Sequence, residues 1–160
     1  MTVDARIALA TVQSELQTCE EDCKRYGWEI SKIDEEKQTF IVKMKSPIDN
    51  EQYIIEIKFD NYNEWPLYIE FINPETDQKG TKNPYPLSIG VHSSFFHTKQ
   101  CICHPCSRKA YKEYAGVHTD WNIIGWQNNQ SVGTLTNIRA ILLAIYHRIS
   151  NPTVYGGRMA

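Results

Sequence analysis

Apolar residues recur with helical spacing near both ends of the chain and alternate with polar ones between. Val12, Leu16, Cys19 and Cys23 step by four, three and four, which sets them on one stripe of a helix over residues 4–25. Gly27 stands where a left-handed cap ends such a helix. Tyr53, Ile55, Ile57 and Phe59 then alternate with Ile54, Glu56 and Lys58, the period of a strand with one face on a core. Strands are expected over residues 28–33, 39–45, 53–59 and 67–71. The polar turns Asp34-Glu35-Glu36-Lys37 and Pro47-Ile48-Asp49-Asn50 join the first three into an antiparallel meander. Leu135, Ile138, Leu142, Ile145 and Ile149 return to steps of three and four, a helix over residues 134–150. Ser131 or Thr134 is its expected N-cap, and Asn151-Pro152 stops it. The tail Tyr155-Gly156-Gly157-Arg158 reads as short and flexible.

Between the meander and the last helix the periodicity is lost. Residues 73–86 are rich in Asn, Pro, Gly and Thr and read as a loop, and no regular spacing returns before residue 130. A long irregular stretch inside a compact domain usually carries function. This one holds Cys101, Cys103 and Cys106, four of the five histidines, and Trp121 and Trp126. The pattern as a whole is a single α+β domain over residues 1–160, with an active-site segment at 73–130.

Composition narrows the class. At 160 residues, 41% hydrophobic and 22% charged, the chain suits one folded core. A formal net charge of -2 leaves no basic footprint, so no nucleic-acid partner is expected. No apolar run approaches the ~20 residues that span a bilayer, and the start lacks a basic-then-apolar signal layout. A cytoplasmic protein without a membrane partner is the expectation. In a reducing compartment, three cysteines within six residues point to catalysis or metal before disulfides.

Three readings of that cluster compete. Cys103 is the leading nucleophile, because Lys99, His104 and Arg108 lie close in sequence and favour a thiolate. Cys101 and Cys106 are its rivals, the latter following Pro105 at an exposed turn. A zinc knuckle of Cys101, Cys103 and Cys106 with His97 or His104 is the second reading. Its Cys-x-Cys spacing is poor, and no second Cys-x-x-Cys pair occurs. An inert buried cluster is the third. No metal or cofactor is expected on balance. Cys19 and Cys23 read as small buried hydrophobes beside Leu16. His118-Thr119-Asp120-Trp121 is either part of a catalytic wall or a loop anchored by Trp121 with His118 at the surface. His147 falls on the solvent side of the last helix.

The order of elements carries one more reading. Tyr62-Asn63-Glu64-Trp65-Pro66 precedes the strand at 67–71; Phe96-His97-Thr98, Ile102-Cys103, and Trp121 or Trp126 follow; a helix over residues 135–152 closes the chain. This series resembles the UBC-like fold of ubiquitin-conjugating (E2) enzymes. The resemblance implies that Cys103 accepts a ubiquitin-like modifier from an E1-like activating enzyme as a thioester and passes it to an amine on a target protein. The family's His-Pro-Asn motif is missing, since His97 is followed by Thr98 and Lys99. Cys103 also stands further from Trp121 than in eukaryotic members. In both respects the chain is similar to divergent bacterial E2-like proteins encoded beside ubiquitin-like modifiers, E1-like enzymes and JAB-type peptidases. That implies modifier conjugation in a bacterial, antiphage pathway. In place of the family's Asn, His97, His118 or Asp120 is expected to supply the oxyanion donor and to help deprotonate the amine. The competing expectation is a non-catalytic E2-fold or RWD-like interaction module.

Overall fold

The computed structural model describes residues 2–73, 83–90 and 94–160. Helices α1 (Ala5–Gln17) and α2 (Glu20–Tyr26) lead into strands β1 (Glu29–Ile30), β2 (Thr39–Lys45), β3 (Gln52–Lys58) and β4 (Tyr68–Ile72). These four form one antiparallel sheet in sequence order. Three short strands follow, β5 (Pro86–Ser88), β6 (Phe96–His97) and β7 (Cys101–Ile102), then helix α3 (Ile138–Ile149) and β8 (Tyr155–Arg158). The architecture is mixed α+β around a four-stranded antiparallel sheet, as the periodicity predicts. Among the described residues no helix is long and apolar enough to cross a membrane.

Register explains the core. Phe40 pairs with Ile57, Val42 with Ile55 and Met44 with Tyr53 across β2 and β3, and Ile55 and Ile57 meet Phe71 and Ile69 of β4. A residue two along a strand returns to the same face, so these pairs stack into one buried layer. That layer is continuous with Ala8 and Val12 of α1 and with Ile138, Ile141, Leu142, Ile145 and Ile149 of α3.

Four local expectations change. The helix predicted over residues 4–25 breaks at Thr18, whose N–H and hydroxyl both donate to the Glu15 carbonyl and close the turn early. A new helix starts at Glu20 with three acidic residues in its first turn, where the helix dipole favours them. Cys19 stays buried and Cys23 half-buried, and Gly27 caps α2 in the left-handed region at φ 73°. Secondly, α3 begins later than predicted. Asn137 is its N-cap, taking a hydrogen bond from the Ala140 N–H, because Ser131 and Thr134 sit in preceding turns closed by Val132 N–H on Asn129 and Leu135 N–H on Val132.

The tail is the third correction. Rather than being free, β8 pairs antiparallel with β5, and Tyr155 and Met159 are buried. Arg158 forks onto Glu51 and lies over the Tyr53 ring, while the Tyr155 hydroxyl donates to Asp49 and stands 2.6 Å from that of Tyr53. Gly156 permits the pairing, since a Cβ there would stand 2.6 Å from Ile89 Cγ2. Lastly, the segment at 73–130 contains β5, β6 and β7. The loop read at residues 73–86 falls mostly on residues 74–82, outside the described residues, as does His92.

Candidate active site

β6 and β7 make a tight hairpin, with Phe96 opposite Ile102 and His97 opposite Cys101. Its turn needs a left-handed residue, which Gln100 supplies at φ 58°. The ladder continues one step beyond the strands, with the Cys103 N–H donating to the Phe95 carbonyl at 2.8 Å. Cys103 is therefore the first residue to leave the hairpin. His104 turns the chain at once, its Nδ1 accepting the Cys106 N–H at 3.1 Å, and this sends Cys106 inward.

A parallel bridge from Leu67 to Ser107 then ties the segment to the start of β4. Arg108, 3% exposed, donates to both carboxylate oxygens of Asp60 at 2.7 and 3.0 Å and to the Pro66 carbonyl at 3.1 Å. The Tyr111 hydroxyl donates to the Pro105 carbonyl at 2.7 Å. From this anchor the chain loops out and returns, with the His118 N–H on the Ala110 carbonyl and Gly116 at φ 69° inside the bend. The return sets His118 Nε2 3.1 Å from Cys103 Sγ, fifteen residues away in sequence.

The three clustered thiols now differ. Cys101 and Cys106 are fully buried, and burial pushes Cys101 up to about 11 and Cys106 higher still. Cys103 is half-buried; desolvation raises its thiol and the Ser94 hydroxyl pulls it back. Burial thus favours the thiol form of Cys103, and its Sγ stands within hydrogen-bond distance of His118 Nε2, with donor and acceptor set by the tautomer of the ring. In the tautomer with the ring hydrogen on Nδ1, that hydrogen faces Asp120 Oδ1, with Nδ1 and Oδ1 4.0 Å apart, and Nε2 is free to accept from the thiol. A thiol beside an imidazole can attack an acyl carbon while the imidazole takes its proton.

The other candidates fall into place around this pair. His97 is half-buried, with Nδ1 accepting the Lys99 N–H, and burial together with the charges of Lys99 and His118 lowers it. Asp120 is 83% exposed, a weak electrostatic neighbour. Of the thiolate activators expected from sequence, Lys99, His104 and Arg108, two are engaged otherwise: Arg108 is spent on Asp60, and burial beside Arg148 holds His104 neutral down to about 4. Proximity in sequence misled here, because Arg108 pairs with Asp60 and His104 Nδ1 accepts the Cys106 N–H. Ser94 carried no sequence signal. Trp121 did, as an aromatic beside His118, but not the contact it makes: its ring stacks on the imidazole at 3.6 Å and 5°. Among the described residues, no three His, Cys, Asp or Glu side chains converge to hold a metal ion. No protein-family model matches the chain, and no curated protein matches it either.

Proposed function

We propose that the chain is an E2-like conjugating enzyme of UBC-like fold, carrying a ubiquitin-like modifier as a thioester on Cys103 in a bacterial, antiphage pathway. One observation carries the reading: of the three clustered thiols, the half-buried one lies 3.1 Å from an imidazole nitrogen. The order of elements supports it too, with the thiol in the segment that follows a helix and a four-stranded meander.

In the first step the Cys103 sulfur attacks the carbonyl carbon of the modifier's thioester on the E1-like enzyme, and its proton passes to His118 Nε2. The carbon–sulfur bond to the E1 cysteine breaks, and His118 returns the proton to the leaving thiolate. Sulfur replaces sulfur, so the exchange is close to thermoneutral. In the second step an amine of the target attacks the Cys103 thioester. His118 accepts the proton the amine sheds, an amide forms, and Cys103 leaves as the thiolate, to be reprotonated by His118. Asp120, 4.0 Å from His118, attracts an incoming ammonium, and His97, whose Nδ1 takes the Lys99 N–H, offers its other ring nitrogen as the donor for a developing oxyanion.

A synthetic peptide α-thioester ending in Gly-Gly tests this without the native partners. Intact mass should show a thiol-labile acyl adduct that maps to Cys103, vanishes in Cys103→Ala and forms at least tenfold more slowly in His118→Ala. Cys101→Ser and Cys106→Ser should retain the adduct. An unmodified wild-type chain would sink the conjugating role and leave the E2-fold or RWD-like interaction module standing.

A further inference from the structure

A base that works by position needs something to hold its ring. In a catalytic triad that task belongs to a carboxylate hydrogen-bonded to the far nitrogen. Here the far nitrogen faces Asp120, which is 83% exposed and 4.0 Å away, too open and too distant to fix a ring. The face of the imidazole, by contrast, lies flat on Trp121, with centroids 3.6 Å apart and planes within 5°. Trp121 is itself braced edge-on by Tyr111 at 5.7 Å and 62°, and Tyr111 is fully buried with its hydroxyl on the Pro105 carbonyl. Pro105 is two residues from Cys103. The contacts therefore close a ring, from the thiol through Pro105, Tyr111, Trp121 and His118 back to the sulfur.

We infer that Trp121 is the positioning residue of this site, holding the His118 ring so that Nε2 meets Cys103 Sγ. The inference rests on the Cys103–His118 pair but not on the modifier, the E1-like enzyme or the identity of the acyl donor. Stacking blocks rotation of the imidazole out of its plane and covers one face, which leaves the two nitrogen edges for hydrogen bonding. Without it, a side chain that is 31% exposed on a loop spreads over its rotamers and both ring flips. The attacking thiol then finds its base in place only part of the time.

The test is the rate of Cys103 alkylation by iodoacetamide, read by peptide mass across pH. Trp121→Ala should lower the rate about tenfold at neutral pH, as a displaced base does. Above the titration of the Cys103 thiol no base is needed, and there the variant should match the parent chain. A purely structural role would depress the rate across the whole range. Trp121→Phe keeps a flat aromatic face and should recover most of the loss, which also covers the case in which the alanine variant folds poorly. In a His118→Ala background, Trp121→Ala should have no further effect, since a residue acting through another adds nothing once that other is gone. A Trp121→Ala profile that overlays the parent at neutral pH, or a loss that adds to that of His118→Ala, would overturn the inference. Because the reagent is a small alkylator, failure of the peptide-thioester assay with this profile intact would refute the conjugating role while leaving the positioning role standing.

Discussion

The sheet and α3 are held together in one way, and the thiol-bearing segment over residues 94–132 in another. In β2, β3, β4 and α3, apolar side chains repeat into a single cluster, and shape and volume matter more than any one atom. The segment has only short strands and 3-10 turns. Phe96, Ile102, Tyr111 and Trp126 join the same core, and directional bonds are added to that packing: Arg108 on Asp60 and Pro66, and the Trp126 indole N–H on the Asn63 carbonyl at 2.9 Å. Non-directional packing supplies most of the stability. Directional anchors supply position, which a nucleophile and its base require to within fractions of an ångström. Such anchors are few, so each one matters locally.

The largest expected effect tests the first half of that contrast. Ile55 is fully buried in the middle of the sheet, opposite Val42 and Phe71. Ile55→Ala should cost about 4 kcal/mol of global stability in urea unfolding, the transfer loss plus a cavity. Cys103 alkylation below the transition should keep its parent rate. A matching fall in that rate would show that the site depends on core packing after all, and the contrast would break.

Arg108→Gln addresses the other half. It strips a buried cation from Asp60, whose side chain is 26% exposed beside it, and removes the guanidinium from over the Trp65 ring. Breaking such a pair by removing one member costs about 3 kcal/mol. Hydrogen exchange should show where: amides of residues 107–118 should exchange faster while those of β2 and β3 stay protected. Equal loss of protection in both would mean that the two regions open as one unit.

The same contrast decides what was legible in the sequence. Periodicity marks residues whose neighbours are one or two turns away or directly across a strand, so β2, β3 and the body of α3 were readable. Pairings without a period were not. Nothing local predicts that Tyr155 would find Tyr53 a hundred residues earlier, or that Gly156 would sit against Ile89, so the tail read as free. The helix break at Thr18 depends on one hydroxyl choosing the Glu15 carbonyl. At the site, Cys103 and His118 were each nominated by residue type, yet their meeting rests on the Arg108 anchor and the bend at Gly116. Charge near the cysteine in sequence pointed to Arg108 and His104, both of which the fold uses elsewhere.

A smaller effect is expected at the second anchor. Trp126→Phe keeps an aromatic in a fully buried position but gives up the indole hydrogen bond to Asn63, leaving that carbonyl to Gln127. About 1 kcal/mol of stability should be lost, the net worth of one hydrogen bond together with a slight underfilling. Chemical denaturation measures it. A loss several times larger would mean that the packing of Trp126 in the core outweighs its hydrogen bond as an anchor of the segment.

The subtlest expectation concerns acid, where one carboxylate of the packed half and one that anchors the segment respond with opposite sign. Glu15 lies in the packed half, accepting the Ile138 N–H at 2.7 Å and the Tyr62 hydroxyl at 2.8 Å. Burial raises its carboxyl, and these hydrogen bonds offset that only in part. Its folded form holds a proton more tightly than its unfolded form, so stability is gained as pH falls through the raised value. Asp60 also feels burial, but the hydrogen bonds and charge of Arg108 outweigh it and leave its carboxyl below the ordinary aspartate range. Its contribution is present above that range and is lost as pH falls through the lowered value. Acidification should therefore loosen the thiol-bearing segment while the packed half gains slightly. Stability measured against pH should lose the mildly acidic gain in Glu15→Gln and the strongly acidic loss in Asp60→Asn. If neither substitution changes the slope in its own window, the two regions do not differ electrostatically, and their contrast reduces to packing against hydrogen bonding alone.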